Sequence, residues 1–282
     1  MGFDIEGAGA RAVVTGASSG IGAMFARRLA ERGWNLTLVA RRTERLEDLA
    51  ETLRSAKGCD VRTVTADLGR QEDAERVARH VAEEDVALLV NNAGINGYGP
   101  FEEVDPALAH RVLEVNVVAP TLLSRAALPG MLERGRGAVV NVASLLAFAG
   151  ALPPDPLPYR ATYAGTKGYL VTFTRTLAAE LAGSPVHVQV LCPGLTATEF
   201  HLTSGAESVP GRREQTHEDV GMTAADVVMG SLEGLAAGEV VCVPGLTDAQ
   251  AVARLAEVEA ELRGAGRQVL AERYRARAGE DS

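Results

Sequence analysis

Short apolar runs rich in Val and Leu alternate along the chain with longer stretches in which apolar residues recur every three to four positions. The first pattern is typical of buried strands and the second of amphipathic helices, as in Leu46, Leu49 and Leu53. The predicted strands span residues 11–15, 35–40, 61–65, 86–90, 138–143, 186–191 and 239–244. This alternation predicts an α/β fold, a doubly wound parallel sheet with helices on both faces.

The length of 282 residues fits one such domain, 1–282, better than two. Residues 223–226 resemble a capping box, with Asp226 in place of the usual Glu, and predict a helix that continues through Leu235. The polar stretch 199–222 is weakly periodic and predicts a mobile substrate lid within the region 195–236, with disorder as the alternative. The amphipathic stretch 247–277 predicts a C-terminal helical extension that docks on its own domain or on a second subunit.

Glycines follow the first predicted strand at Gly16, Gly20 and Gly22. A turn without Cβ atoms lets the backbone approach a pyrophosphate, and a helix that begins near Gly20 points its free N–H groups at the same anion. The turn 15–22 therefore predicts dinucleotide binding, although a glycine-rich turn between strand and helix is often only a turn. The residues after it decide between the two.

The end of the second strand is where such a fold meets the adenosine ribose. An acidic residue there would exclude a 2′-phosphate, but the chain has Ala40 followed by Arg41 and Arg42. Two guanidinium groups suit a phosphate, so NADPH is favoured over NADH; two solvated arginines at a helix start are the alternative. After the third strand, Asp67 either accepts a hydrogen bond from the adenine amino group or caps the next helix.

Composition argues against several other functions. The net charge of −9 includes no basic block, which disfavours nucleic acid as a partner. Cys59, Cys192 and Cys242 are far apart, and the five histidines are scattered, so neither a disulfide framework nor a metal site is expected. Residues 1–6 lack a signal segment and no apolar run approaches the length of a membrane span, so we expect a soluble cytoplasmic protein without a membrane span.

Several motifs occur in one order along the chain: Thr15-Gly-Ala-Ser-Ser-Gly-Ile-Gly22, Asn91-Asn-Ala-Gly94, Asn116, Ser144 and Tyr163-Ala-Gly-Thr-Lys167. Together they resemble the short-chain dehydrogenase/reductase family from about Ala12 to Gly245. Residues 128–134 and 191–198 are similar to its branch of NADPH-linked 3-oxoacyl and hydroxysteroid reductases. The resemblance implies a Rossmann-type seven-stranded sheet of order 3-2-1-4-5-6-7, with a nicotinamide across the ends of strands 4 and 5.

Tyr163 and Lys167 lie four residues apart, which places them on one face of a helix. An ammonium stabilises a nearby phenolate, so Lys167 is expected to lower the pKa of Tyr163 and fit it for proton exchange with a ketone or alcohol. Tyr159 is the competing phenol, one turn earlier. Ser144 stands at the carboxyl end of the fifth strand, where open α/β sheets bind ligands.

The resemblance assigns further roles. It implies that Asn116 holds a water in a proton relay, with a satisfied core amide as the alternative, and that Lys167 also binds the nicotinamide ribose. The amides after the fourth strand either contact the cofactor or only tie strands together. The candidate catalytic residues are Asn116, Ser144, Tyr163 and Lys167. The candidate cofactor-binding residues are Gly16, Ser18, Ser19, Gly20, Ile21, Gly22, Arg41, Arg42, Asp67, Leu68, Asn92, Ala93, Gly94, Tyr163, Lys167, Pro193, Gly194, Thr196 and Thr198.

One stretch departs from the family pattern. The interval between Ser144 and Tyr163 is longer than usual and carries four prolines within residues 153–158. Four prolines cannot sit in a regular helix, so a loop is predicted. We hypothesise that it forms a wall of the substrate pocket; a tolerated surface insertion is the alternative.

These features predict a reversible NADPH-dependent carbonyl reductase whose substrate is a small molecule such as a 3-oxoacyl, steroid or polyketide-type ketone. A homodimer or homotetramer is expected from the resemblance. The alternatives are a dinucleotide-binding sensor without turnover, which would have no need of Ser144, Tyr163 and Lys167, and a sugar-nucleotide epimerase or dehydratase, which would need a separate substrate domain.

Overall fold

Seven parallel strands form one sheet in the order β3-β2-β1-β4-β5-β6-β7 in a computed structural model of the chain. The structure describes residues 2–155, 157–198, 200, 221–248 and 250–264. The strands are β1 Arg11–Thr15, β2 Asn35–Ala40, β3 Val61–Thr65, β4 Val86–Asn91, β5 Gly137–Val142, β6 Val186–Leu191 and β7 Val241–Cys242. The predicted fold class and strand order are confirmed.

The predicted strand 239–244 is longer than the β7 that forms. Only Val241 and Cys242 pair with β6. Proline has no N–H to donate to a ladder, so Pro244 cannot extend the pairing, and the Glu239 N–H instead donates to the carbonyl of Gly234 at 2.8 Å. The sheet edge therefore ends in a two-residue strand.

Helices cover both faces of the sheet. They are α1 Gly20–Glu31, α2 Thr43–Lys57, α3 Gln71–Glu83, α4 Pro106–Leu113, α5 Ala119–Glu133, α6 Ala161–Glu180 and α7 Ala224–Ala236. One apolar core joins α1, α2 and α7 to the sheet, and a second joins α3 and α5 to its other face. The last part of the predicted lid region 195–236 is thus α7, whose Val227, Val228, Leu232 and Leu235 are core residues; residues 201–220 lie outside the described part of the chain.

The chain divides into two compact units, Met1–Gly245 and Leu246–Ser282. The second unit contains α8, Gln250–Gly264, which has no buried residue. Over the described residues of the predicted extension 247–277, α8 spans Gln250–Gly264. Residues 265–277 lie outside the described part.

The helical segment Pro106–Glu133 is long and apolar enough to cross a membrane by length and composition alone. The expectation that no such segment exists is wrong by this measure. However, 44% of its most apolar window is buried. Leu123, Ala127 and Met131 lie in the core that α5 shares with α3 and the sheet, so packing within the domain accounts for this apolar face.

Thr223 caps α7, as predicted. Its hydroxyl accepts a hydrogen bond from the Asp226 N–H at 3.1 Å. Replacing Thr223 by Ala should lower the free energy of unfolding by about 1 kcal/mol, because the first turn of α7 loses that acceptor. Urea unfolding would measure the loss, with Thr52→Ala on the exposed face of α2 as a control. A stability of Thr223→Ala equal to that of the control would contradict a capping role.

Candidate active site

The turn after β1 has the backbone that a bound pyrophosphate requires. Gly16 and Gly20 have φ of +66° and +56°, in the left-handed region that favours glycine. A Cβ on Gly22 would lie 2.4 Å from both the Asn92 Nδ2 and the Gly16 carbonyl oxygen. Helix α1 begins at Gly20, with Ile21 in its first turn, and no side chain caps it. The free N–H groups of that turn therefore fit an anionic group.

Arg42 folds from the end of β2 onto the same turn. Its guanidinium donates to the Ser18 hydroxyl from Nη2 at 3.1 Å and to the Ser19 hydroxyl at 2.6 Å. Arg41 is exposed beside it. The alternative of two merely solvated arginines does not describe Arg42, which with the two hydroxyls forms a cluster of donors suited to a phosphate.

Asp67 is held by protein partners. Its carboxylate accepts from the Gly69 N–H at 3.0 Å and from Arg111 Nη2 at 2.6 Å. Helix α3 begins at Gln71 with Arg70 at the capping position, so the second of the two interpretations, that Asp67 caps this helix, is wrong. The side chain of Leu68, predicted to contact the cofactor, is buried in the core.

The amides that follow β4 tie neighbouring strands together. Asn91 Nδ2 donates to Asn141 Oδ1 at 2.9 Å and to Ser124 Oγ at 3.1 Å, which joins β4 to β5 and α5. Asn92 Nδ2 donates to the Thr15 carbonyl at 2.9 Å. Both side chains thus have the structural role that was one of the two interpretations, and the partners Asn141, Ser124 and Thr15 were not foreseen.

Gly94 opens the backbone beside the candidate catalytic residues, and Ala93 lies next to it, its N–H bonded to Thr15. A Cβ on Gly94 would lie 3.4 Å from both Asn116 Oδ1 and Lys167 Nζ. Because this glycine borders two polar groups of the site, it leaves room for a ligand to approach them.

Asn116 lies in a π-helical segment, Glu114–Val118, between α4 and α5. Its Oδ1 accepts from the Ile95 N–H at 3.0 Å, and its Nδ2 donates to the Ile95 carbonyl at 2.9 Å and to Thr166 Oγ1 at 3.1 Å. The side chain is thus the satisfied core amide of the alternative interpretation. Because the side chain is already paired, a relay water at this position would have to bind the main chain of Asn116. The π-turn displaces that main chain from the α-helical pattern, and π-turns are frequent at functional sites.

Ser144, Tyr163 and Lys167 meet at the carboxyl end of β5. The Ser144 hydroxyl accepts from the Leu146 N–H at 3.1 Å and is near enough to the Tyr163 phenol to influence its pKa. Lys167 Nζ lies 5.6 Å from the centre of the Tyr163 ring and donates to the Val142 carbonyl at 2.8 Å. Tyr163 and Lys167 are buried, whereas the competing Tyr159 is 55% exposed and precedes α6.

Burial sets the protonation of this cluster. It raises the pKa of the Tyr163 phenol, an effect that the nearby Ser144 hydroxyl opposes, and it lowers the pKa of Lys167 to about 8. The expectation that Lys167 lowers the pKa of Tyr163 is therefore wrong here, because loss of water from the phenol outweighs it and the ammonium binds the Val142 carbonyl instead. A phenol with a raised pKa is protonated at neutral pH, as a proton donor must be.

The segment after β6 returns toward the turn after β1. The Pro193 carbonyl accepts from the Leu145 N–H at 2.9 Å, and a Cβ on Gly194 would lie 3.3 Å from Leu145. Thr198 lies over the glycine-rich turn, since a Cβ on Gly20 would be 3.2 Å from it. Thr196 Oγ1 donates to the Gly194 carbonyl at 3.1 Å.

Aromatic residues that the sequence analysis did not single out surround Tyr163. Tyr98 packs edge-on against its ring with centroids 5.3 Å apart, and Phe200 lies 5.6 Å away at a tilt. Burial raises the pKa of Tyr98 to about 12. In the sequence, only the position of Tyr98 just after the motif that follows β4 indicates that it lies near the site.

In the part of the chain that the structure describes, no group of three His, Cys, Asp or Glu side chains could hold a metal ion. A cleft of about 170 Å³ lies at the other end of β6, near Val186 and Gly238, and its lining includes none of Ser144, Tyr163 and Lys167.

A family model described as short chain dehydrogenase matches residues 10–208. The very-long-chain 3-oxoacyl-CoA reductase of Anas platyrhynchos is 34% identical over 203 residues, which cover 70% of this chain and 63% of the relative. The chain thus spans less than two thirds of that relative's length. A short-chain dehydrogenase from Sphingobium yanoikuyae in complex with NADPH has a TM-score of 0.85 and 32% identity, covering 94% of this chain and 100% of that one. The bulky-bulky ketone specific alcohol dehydrogenase from Comamonas testosteroni has a TM-score of 0.81 and 31% identity, covering 94% and 98%.

Proposed function

Because the chain belongs to the short-chain dehydrogenase family, we propose that it is an NADPH-dependent carbonyl reductase that interconverts a ketone and a secondary alcohol. One observation carries the proposal. Ser144, Tyr163 and Lys167 are gathered at the carboxyl end of β5, on the same sheet edge as the glycine-rich turn after β1. Open α/β sheets bind ligands at this edge.

The chain's own residues orient the carbonyl group and donate the proton. Bound NADPH supplies the hydride. The Ser144 hydroxyl orients the carbonyl oxygen by a hydrogen bond, and the protonated phenol of Tyr163 donates its proton to that oxygen as negative charge develops there. The ammonium of Lys167, 5.6 Å from the centre of the Tyr163 ring, would stabilise the phenolate that remains and would bind the nicotinamide ribose.

Solved relatives bind NADPH in one case and NAD in another, which supports a nicotinamide cofactor. NADPH is the form we propose here, because Arg42, Ser18 and Ser19 form one cluster of donors at the end of β2. Ala40 provides no carboxylate at the position that would bind the ribose hydroxyls of NADH. The cluster thus suits a 2′-phosphate.

Replacing Arg42 by Ala should raise the KM for NADPH by about 10- to 100-fold, because a charge-assisted hydrogen bond to phosphate is lost. The KM for NADH should change little. Initial rates with each cofactor measure the two values, and Arg125→Ala, which removes an exposed cation from α5, is the matched control. An equal rise of both KM values would contradict a 2′-phosphate role.

We further propose that the substrate is a ketone flanked by large apolar groups. Leu145, Phe148, Leu152 and Leu195 are each at least 42% exposed, and they lie in the segments that follow β5 and β6. Apolar side chains exposed together near a site are typical of a surface that receives an apolar ligand. The Comamonas testosteroni relative, which is described as specific for bulky-bulky ketones, points the same way.

NADPH oxidation across a panel of aryl alkyl, steroid and 3-oxoacyl thioester ketones tests this function. Turnover of aryl alkyl or steroid ketones that exceeds that of acetone and pyruvate is the expected result. NADPH binding without oxidation by any ketone would instead favour a dinucleotide-binding sensor. The homodimer or homotetramer and the cytoplasmic location expected from the sequence stay predictions.

A further inference from the structure

Arg160 is a buried cation in the loop that precedes α6. It is 8% exposed, and its guanidinium donates from Nη2 to the carbonyls of Ala149 and Leu152 at 2.6 and 2.8 Å, and from Nη1 to the carbonyl of Pro158 at 3.0 Å. These partners are main-chain oxygens, which compensate a buried charge only if they are held in place. Burial of this charge therefore depends on the conformation of the loop.

The three carbonyls come from both sides of the proline-rich insertion. Ala149 and Leu152 precede residues 153–158, and Pro158 ends them. Prolines have no N–H, so the insertion can make few main-chain hydrogen bonds of its own. The fork of Arg160 supplies donors that its backbone lacks and joins residues 149–152 to Pro158 through one side chain.

This loop lies beside the candidate catalytic phenol. Arg160 is the residue before α6, and its carbonyl accepts from the Ala164 N–H at 2.7 Å, so Tyr163 is in the first turn that it starts. Next to it, the Tyr159 carbonyl accepts from the Gly99 N–H at 3.2 Å, which ties the loop to the segment that carries Tyr98. Tyr98 in turn packs on Tyr163.

Two apolar side chains at the ends of this loop are exposed to solvent. Leu152 is 56% and Tyr159 55% exposed. We propose that Arg160 is a positioning residue that determines specificity: by joining residues 149–152 to Pro158 it holds Leu152 and Tyr159 as the wall that receives the larger substituent of the ketone. This inference rests on the proposed function.

The test compares two ketones of different size in one enzyme. In Arg160→Gln, the ratio of kcat/KM for 1-phenylhexan-1-one to that for cyclohexanone should fall about 10-fold or more, through KM for the larger ketone, because apolar contacts with the wall are lost. Arg160→Lys should not restore the ratio, because an ammonium cannot reproduce the fork. Arg125→Gln on the exposed face of α5 is the control. A loss of kcat/KM that is equal for the two ketones would overturn the inference, as would an unchanged ratio.

A double-mutant cycle separates positioning from general damage to the fold. Leu152→Ser changes an exposed side chain and should by itself raise the KM for 1-phenylhexan-1-one. If Arg160 acts through this wall, Arg160→Gln should add little in the Leu152→Ser background. Additive effects would overturn the inference; if Arg160→Gln does not fold, an unchanged KM in Leu152→Ser overturns it. If none of the ketones in the panel supports NADPH oxidation by the wild-type protein, the proposed function itself is contradicted. That result is obtained before any variant is made.

Discussion

Replacing Tyr163 by Phe is expected to lower kcat by about 10²- to 10⁴-fold while NADPH binding stays nearly unchanged. The variant keeps the ring between Tyr98 and Phe200 but removes the hydroxyl that lies near Ser144. Burial raises the pKa of this phenol, so it carries its proton at neutral pH. Initial rates of NADPH oxidation give kcat, and NADPH fluorescence titration gives the affinity.

Tyr169→Phe is the matched control for this experiment. Tyr169 lies on the same helix, and its hydroxyl pairs with Thr121 Oγ1 at 2.9 Å, away from Ser144. A kcat for Tyr163→Phe within about twofold of the control would remove Tyr163 from the proposed mechanism. Residual activity that disappears when Tyr98→Phe is added would instead identify Tyr98, the neighbouring phenol, as a substitute acid.

The strands of the sheet were predictable because each one is a short apolar run between stretches of helical periodicity. Buried parallel strands read as continuous runs of Val and Leu, as in β4, and six of the seven predicted spans agree with the observed strands to within about one residue. The strand order came from the resemblance of the motifs, since no pattern of spacing orders parallel strands. The predicted seventh strand was too long because Pro244 cannot donate a hydrogen bond to the sheet. Which residues of β7 pair with β6 depends on the geometry at the sheet edge.

The site was predictable where one local feature was enough. The spacing of four between Tyr163 and Lys167 predicts that both lie on one face of α6, and they do. Spacing carries no information on how deeply the two side chains are buried, however. The upward shift in the pKa of Tyr163 that burial causes was therefore not predicted.

Contacts between distant segments were beyond the reach of the sequence. Asp67 pairs with Arg111, 44 residues further along the chain, and Asn91 pairs with Asn141, 50 residues further. The sequence suggested roles for both side chains but identified neither partner. The same limit hid the role of Arg160, whose partners become visible only when the insertion is folded back on itself.

The buried ammonium of Lys167 leads to a prediction about stability. Its pKa falls from 10.5 to about 8 because burial penalises the charged form. Below pH 8 the side chain is protonated in both the folded and the unfolded chain, so folding bears the full penalty. Between pH 8 and 10.5 the folded chain releases this proton while the unfolded chain keeps it, so the penalty declines and the contribution of Lys167 to stability rises with pH.

The free energy of unfolding of the wild type, minus that of Lys167→Met, should therefore increase by about 2 to 3 kcal/mol from pH 7 to pH 10. Urea unfolding at pH 7, 8, 9 and 10 measures the difference. Cys192 and Cys242, whose pKa values burial raises to about 12, are present in both proteins, so their destabilising effect above pH 9 largely cancels. Lys57→Met, at the exposed end of α2, controls for removal of an ammonium from the surface.

A difference that stays constant over this range would mean that the lysine keeps its ordinary pKa and is solvated in the folded chain. Lys167 would then be too well hydrated to face a nicotinamide in a dry site. An increase with pH would instead indicate that the fold tolerates a destabilising lysine beside Val142 and Tyr163. Since a methionine of similar length would avoid that penalty, retention of the ammonium is best explained by its action on the phenol and the cofactor.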